Sequence, residues 1–278
     1  MRYLYIVLFI LLSIINGQSQ SLSLMTYNIR LEVSSDGENA WPKRKHFLSS
    51  QVLFFAPDIL GVQEARPGQM DYLEEILIDY EVFGKGRDGR NEGEHASIFY
   101  NKNKLEVIQN GTFWLSETPN SPLKGWDAAY PRICTYGQFK VLDSNTKFWV
   151  FNTHLDHKGS EARKQGIQLI LNKIEKLNNQ NEPVLLMGDF NVEPESELIT
   201  QLKLLMDDSR EKAKIVFGPE GTFNGFDYTQ AVVRRIDYIM LSKGQKDIRV
   251  EKYAVPSSSV DLKFPSDHFP VYVELNLK

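Results

Sequence analysis

Leu185-Leu186-Met187-Gly188-Asp189-Phe190-Asn191 is an apolar run that halts at a glycine and then presents a carboxylate and an amide two residues apart. Side chains at i and i+2 of extended backbone face the same way, so Asp189 and Asn191 are expected to project from one strand end into one site. Asp can orient a water or hold a hard cation, and Asn can donate to an anionic oxygen. Taken alone, the run reads equally well as an ordinary turn after a strand. Further polar runs at strand ends decide between the two.

Candidate strands on either side are Leu22–Asn28, Ile59–Gln63, Ala96–Tyr100, Leu105–Leu115, Ile133–Leu142, Phe148–Thr153, Val184–Met187, Ile236–Leu241, Ile248–Val255 and Val271–Leu275. They are rich in Val, Ile, Phe and Tyr and bounded by turn residues. Helical spacing of Ile167, Ile170, Leu171, Ile174 and Leu177 predicts a helix over Glu161–Asn178. Others are expected over Lys43–Phe55, ending before Pro57, over Gln69–Leu77, and over Ser196–Met206, entered at Pro194-Glu195-Ser196. Many strands with intermittent helices predict an α/β protein of two packed sheets flanked by helices.

The 278 residues, 42% hydrophobic and 24% charged, can bury the core of one large domain. No repeat or linker interrupts the chain after residue 20, so residues 20–278 are read as a single domain. Met1-Arg2-Tyr3, an apolar Leu4 to Leu12 and a polar stretch from Asn16 describe a signal peptide over residues 1–19, with cleavage after Gly17 or Ser19. Export to a periplasmic or extracellular location, with no stable membrane anchor after cleavage, is the expectation. The single Cys134 excludes an intrachain disulfide and reads as a small apolar strand residue. A net charge of −4 argues against holding nucleic acid by bulk charge, although a local basic groove stays open.

Several other runs carry chemistry. Asn28 and Arg30 close the first strand, and Gly61-Val62-Gln63-Glu64 brings a second strand to a carboxylate. Asn152-Thr153-His154-Leu155-Asp156-His157 ends a strand whose alternation puts Asn152, His154 and Asp156 on one face. Asp237 lies between apolar strand residues and needs a partner; His268, in Pro265-Ser266-Asp267-His268, is suitable in kind. Gly84-Lys85-Gly86-Arg87-Asp88-Gly89 matches GxGxxG, but charged flanks and no following helix make it a loop beside the site. Lys85, Arg87 and Arg90 in and after that loop can approach a phosphate. Trp114, Trp126 and Phe223 are candidates to stack a base or a sugar, or to pack in the core.

Taken in order, Asn28, Glu64, His154, Asp189-x-Asn191, Asp237 and Asp267-His268 resemble the endonuclease/exonuclease/phosphatase superfamily over nearly all of residues 22–276. The resemblance implies a DNase I-like four-layer α/β sandwich of two packed, mainly antiparallel sheets flanked by helices. It implies a divalent ion, Mg2+ or Mn2+, on Glu64, with Asp267 contributing and Asn28 beside it. Asp189 and Asn191 would position the attacking water and bind the scissile phosphate, and His268 would act with Asp237. His154, oriented by an upstream Glu for which Glu94 is the candidate, is similar to the DNase I-like branch. Apurinic endonucleases carry Tyr at that place. Which His is the general base stays open.

Gly111–Pro119 and Gly125–Ala129, leading into Arg132, resemble a secreted bacterial group near the deadenylase-like branch. Arg132 and Arg163 are candidate phosphate contacts. Three functional readings follow. The first is an exported metal-dependent nuclease acting on DNA or RNA, with nucleic acid as its partner. The second is a phosphatase or phosphodiesterase on lipid head groups or sugar phosphates, and the third a non-catalytic binding protein of the same fold.

Overall fold

The computed structural model describes residues 20–244 and 248–277. The expected signal peptide over residues 1–19 lies outside them. In chain order the first half runs β1 (Gln20–Asn28), α1 (Trp41–Phe55), β2 (Ile59–Gln63), α2 (Pro67–Ile76), β3 (Tyr80–Phe83), β4 (Ile98–Asn101), β5 (Leu105–Trp114) and β6 (Ile133–Val141). The second half runs β7 (Lys147–His154), α3 (Ser160–Leu177), β8 (Val184–Asp189), α4 (Glu197–Leu205), β9 (Met206–Asp208), α5 (Ser209–Lys212), β10 (Ile215–Phe217), β11 (Asp237–Ser242), β12 (Ile248–Ala254) and β13 (Val271–Leu277).

These strands form two sheets, ordered β10-β12-β13-β1-β2-β4-β3 and β5-β6-β7-β8-β11-β9. Pairs β1–β2, β10–β12 and β7–β8 are parallel and the other pairs antiparallel, so both sheets are mixed with antiparallel pairing dominant. Leu22, Leu24, Ile59 and Val273 of the first sheet meet Phe148, Val150, Leu185, Met187 and Ile239 of the second in one buried core. The other face of the first sheet packs on α1 and α2 through Tyr27, Leu48, Val52 and Leu73. The other face of the second packs on α3 and α4 through Phe151, Ile167, Ile170, Leu186 and Leu202. Each such side chain contributes roughly 1.5–3 kcal/mol on burial. The layer order is helix, sheet, sheet, helix, the expected sandwich.

Strand parity positions the site. Inward residues change from apolar to polar toward one end: Leu24, Thr26, Asn28 on β1; Val150, Asn152, His154 on β7; Leu185, Met187, Asp189 on β8. β11 runs antiparallel to β8, so it meets the same end with Asp237 opposite Asp189. His154 lies opposite Asp189 in the parallel pair, which aligns three functional side chains across neighbouring strands. All expected strands and helices are present within a few residues; β3, β9 and β10 are additional, and the last two are three-residue edge segments too short to leave a period.

Two local readings are corrected. Gly188 does not stop the strand but lies within β8 at φ +140°, where a Cβ would come within 1.9 Å of the Thr153 carbonyl oxygen. Asp156 leaves the strand face: β7 ends at His154, and the Asp156 carboxylate accepts the N–H groups of Lys158 and Gly159 in the turn beyond.

A polar layer separates the apolar core from the site. The Asn152 amide donates to the carbonyls of Val62 and Ser97, both at 3.0 Å, and its oxygen accepts from Gln63 Nε2 at 2.7 Å. It therefore ties β7 to both β2 and the approach to β4, across the sandwich. Gly61 permits this approach, because a Cβ there would meet Asn152 at 2.8 Å. Asn152→Ala strands buried donors and acceptors, so stability in urea denaturation should fall by roughly 2–3 kcal/mol; a loss below about 0.5 kcal/mol would sink this account of the tie.

Candidate active site

Asn28 joins the two walls of the site. Its Nδ2 donates to Glu64 Oε1 at 3.1 Å and to Asp189 Oδ2 at 3.0 Å, while its oxygen accepts from the Arg30 N–H. Ser266 Oγ donates to the Asn28 carbonyl at 2.7 Å, bringing the Asp267-His268 turn onto β1. Both hydrogens of the Asn28 amide are thus engaged within the protein. It bridges Glu64, an expected metal carboxylate, and Asp189, which places it beside the expected ion.

Asp189 is buried among partners. Its Oδ1 accepts from the Asn191 N–H at 2.9 Å, and its Oδ2 lies 3.5 Å from His154 Nε2 and 3.8 Å from His268 Nε2. Asn191 is delivered by a left-handed turn (φ 54°) rather than by strand alternation, and its Nδ2 donates to the Leu155 carbonyl at 3.0 Å. Both residues still line one cleft.

The expected Asp237–His268 pair is present, with His268 Nδ1 2.9 Å from Asp237 Oδ2. Thr222 Oγ1 donates to the same oxygen at 2.6 Å and accepts from the N–H groups of Ile236 and Asp237. Thr222 has no sequence signal: it is one hydroxyl in an irregular segment. Burial opposes charge on His268, but the Asp237 carboxylate overrides it and lifts the imidazole to about 10. His268 is therefore an imidazolium at neutral pH, donating Nδ1–H to Asp237 and facing Asp189 with Nε2–H. His154 is driven the other way, well below its ordinary value, by burial and then by the Arg132 charge. Burial, and then the charge on Asp237, raise Asp189 above the usual carboxylate range.

Arginines wall the rest of an open cleft of about 500 Å3. Arg132 is buried, its Nε 3.2 Å from Asp156 Oδ2 and its Nη2 3.0 Å from His157 Nδ1. Tyr130 stacks on His157 and carries the Arg87 guanidinium over its ring at 4.7 Å. Phe223 meets His268 edge-on and also borders the cleft. Trp114 is core-packed, its Nε1 donating to the Arg87 carbonyl, and Trp126 is not among the cleft-lining residues.

Two sequence assignments do not hold in this geometry. Glu94 does not orient His154: its carboxylate pairs with Arg87 Nη1 at 2.7 Å. Arg163 donates to the Asp156 carbonyl and borders the groove between α3 and α4, away from the cleft. Of the three cations near the glycine-rich loop, only Arg87 lines the site. Tyr130, His157, Arg66 and Arg234 also line it. Isolated residues in loops, they carry no periodic signal.

Among the described residues, Asp189, Asp237 and His268 form the one group with three potential ligand atoms within 4.8 Å, spacing that can hold an ion. In it, His268 Nδ1 is already bonded to Asp237. Glu64 and Asp267 are the alternative. Both border the open cleft, and Asp267 is raised by burial first, with His268 opposing, and by the nearby Glu64 charge. Glu64 also adopts a left-handed conformation (φ 63°) that holds its side chain at the cleft. Two hard oxygen donors crowded together suit a magnesium-like ion.

A guanidinium-lined cleft, an Asp-fixed imidazolium and hard carboxylates define a site that handles phosphate esters. The sequence profile of the Endonuclease/Exonuclease/phosphatase family matches residues 25–268, and the chain belongs to this family, whose members are hydrolases of that kind. A family protein from Bacteroides thetaiotaomicron superposes with a TM-score of 0.87 at 37% identity, covering 94% of this chain and 99% of that one. A mannosyl-6-phosphatase from the same organism gives 0.85 at 38% identity, covering 91% and 99%. The CCR4-Not complex 3'-5'-exoribonuclease subunit Ccr4 of Mycosarcoma maydis is 22% identical over 95% of this chain, which spans about half (51%) of that relative's length.

Asn28→Asp replaces the bridging donor with a third carboxylate between Glu64 and Asp189. Turnover of 4-nitrophenyl phosphate should drop by about 100-fold or more. Activity within about three-fold of wild type would refute the bridging role.

Proposed function

We propose that the chain is an exported, divalent-metal-dependent phosphatase that acts on sugar phosphates. The observation that carries this reading is the full-length likeness, at 38% identity, to a mannosyl-6-phosphatase. The net charge of −4 fits it as well, because a long polyanionic strand gains little from such a surface. The nuclease reading is second, supported by the more distant likeness to an exoribonuclease subunit.

The proposed chemistry assigns each group a task. Asp189, with its raised basicity, accepts a proton from the attacking water, and Asn191 orients that water and the phosphate. The His268 imidazolium, fixed by Asp237, and the Arg132 guanidinium stabilise charge on the phosphoryl oxygens. Neutral His154 completes the hydrogen-bonding wall around Asp189. Glu64 and Asp267 would hold magnesium or manganese, which supplies Lewis-acid stabilisation of phosphoryl and leaving oxygens. The water oxygen forms a bond to phosphorus as the bond from phosphorus to the sugar oxygen breaks; that oxygen takes a proton from solvent and Asp189 releases to solvent the proton it accepted, giving inorganic phosphate and free sugar.

The test is a panel of mannose 6-phosphate, glucose 6-phosphate, single-stranded DNA and RNA, each with magnesium or manganese and with EDTA. Sugar phosphates should be hydrolysed in the metal arms alone, and His268→Ala should lower turnover by at least about 100-fold. Glu64→Gln should raise the metal concentration needed for half-maximal activity. Cleavage of nucleic acid with sugar phosphates untouched would replace this reading by the second. Export predicts that protein recovered outside the cytoplasm begins at Gln18 or Gln20 on N-terminal sequencing; an intact Met1 would overturn it.

A further inference from the structure

Five arginines border the cleft: Arg30, Arg66, Arg87, Arg132 and Arg234. Four are held by carboxylates, Arg30 by Asp36 at 2.9 Å, Arg87 by Glu94 at 2.7 Å, Arg132 by Asp156 at 3.2 Å and Arg234 by Glu193 at 3.1 Å. Arg66 has no carboxylate partner among the described residues, and it is exposed at the rim.

Its origin is rigid all the same. The Ala65 carbonyl accepts from the His95 N–H at 2.8 Å, and the Arg66 N–H donates to Gln69 Oε1 at 3.1 Å. Gln69 in turn donates to the Arg30 carbonyl. A long side chain therefore leaves a fixed turn and enters the same cleft as Arg87 and Arg132. On that wall Arg87 and Arg132 are each paired with a carboxylate, Glu94 and Asp156, which leaves Arg66 as the guanidinium with no carboxylate bonded to it.

A phosphate monoester carries close to two negative charges at neutral pH, whereas a diester carries one. A diester also fills with a second substituent the place of a free oxygen. We propose that Arg66, together with Arg87 and Arg132, forms a dianion pocket that selects phosphate monoesters over diesters, with Arg66 supplying the guanidinium left free of a salt bridge. The inference rests on the phosphatase reading and names the residues that set its substrate class. Arg66 is a specificity-determining residue, and the paired Arg87 and Arg132 are the fixed part of the pocket.

The experiment compares 4-nitrophenyl phosphate with bis-4-nitrophenyl phosphate, which share a leaving group, on wild type, Arg66→Ala and Arg66→Lys. Arg66→Ala should lower the monoester-to-diester ratio of kcat/KM by about ten-fold, the loss falling on the monoester, and Arg66→Lys should restore most of it. Calorimetric titration of inorganic phosphate in EDTA, which needs no turnover, should show about ten-fold weaker binding to Arg66→Ala than to wild type. A ratio within about two-fold of wild type, unchanged phosphate binding, or a wild type that hydrolyses only the diester would overturn the pocket. If sugar phosphates are not substrates but the ratio still falls, the phosphatase reading fails on its sugar and the pocket stands.

Discussion

Everything in this structure depends on the two-residue period of strands sandwiched between two sheets. Alternate side chains of β1, β7, β8 and β11 must enter the space between the sheets, so the identity of each inward residue decides what that space contains at each level. Apolar residues fill it for most of the strand length, a layer of Thr26, Gln63 and Asn152 crosses it by hydrogen bonds, and Asn28, His154, Asp189 and Asp237 occupy its end. A one-residue slip of β8 would turn Asp189 onto the helix-covered face and Phe190 into the site. The apolar core thus acts as the register lock for the chemistry.

Placing ionisable groups at the end of a sandwich buries them, and burial sets their character. Carboxylates out of water hold protons more tightly and imidazoles more loosely unless a partner intervenes. Asp237, with Thr222 bonded to it, intervenes for His268 but not for His154, so the basicities of two imidazoles around one carboxylate are shifted in opposite directions. The segments that carry these groups are braced from behind. The Tyr238 hydroxyl donates to the carbonyls of Val192 and Arg235, and Phe190 stacks on the Tyr238 ring at 5.1 Å. One aromatic side chain on the outer face of the second sheet therefore steadies the turn after Asp189 and the approach to Asp237 together.

Family membership and substrate rest on different parts of the molecule. Asn28, His154, Asp189 and Asp237 come from strand ends, and most of the cleft's arginines and aromatics come from loops. Loops tolerate change more readily than a packed sandwich, which is how one fold can carry sites for different substrates. The glycine-rich segment illustrates this: it folds back through Gly86, Arg90 and Glu92 backbone bonds and delivers Arg87, but not Lys85 or Arg90, to the cleft.

Much of the fold was legible because its strands keep their period and end in turn residues, and the pairing of Asp237 with His268 was legible because a buried carboxylate demands a partner. The Leu185–Asn191 run announced a strand, and its Asp189 and Asn191 line one cleft. By itself the sequence determined the sandwich, the family and the inward residues at the strand ends, since these follow from local periodicity and from residue types whose burial is tolerable only in combination. Only the tertiary structure decided that Asn28 bridges Glu64 and Asp189, that Glu94 belongs to Arg87, that Arg163 faces away, and that Thr222 supports Asp237. Those contacts join side chains far apart in the chain or set within irregular turns, where no repeat constrains direction, and their partners are chosen by distance and desolvation once the sheets have closed.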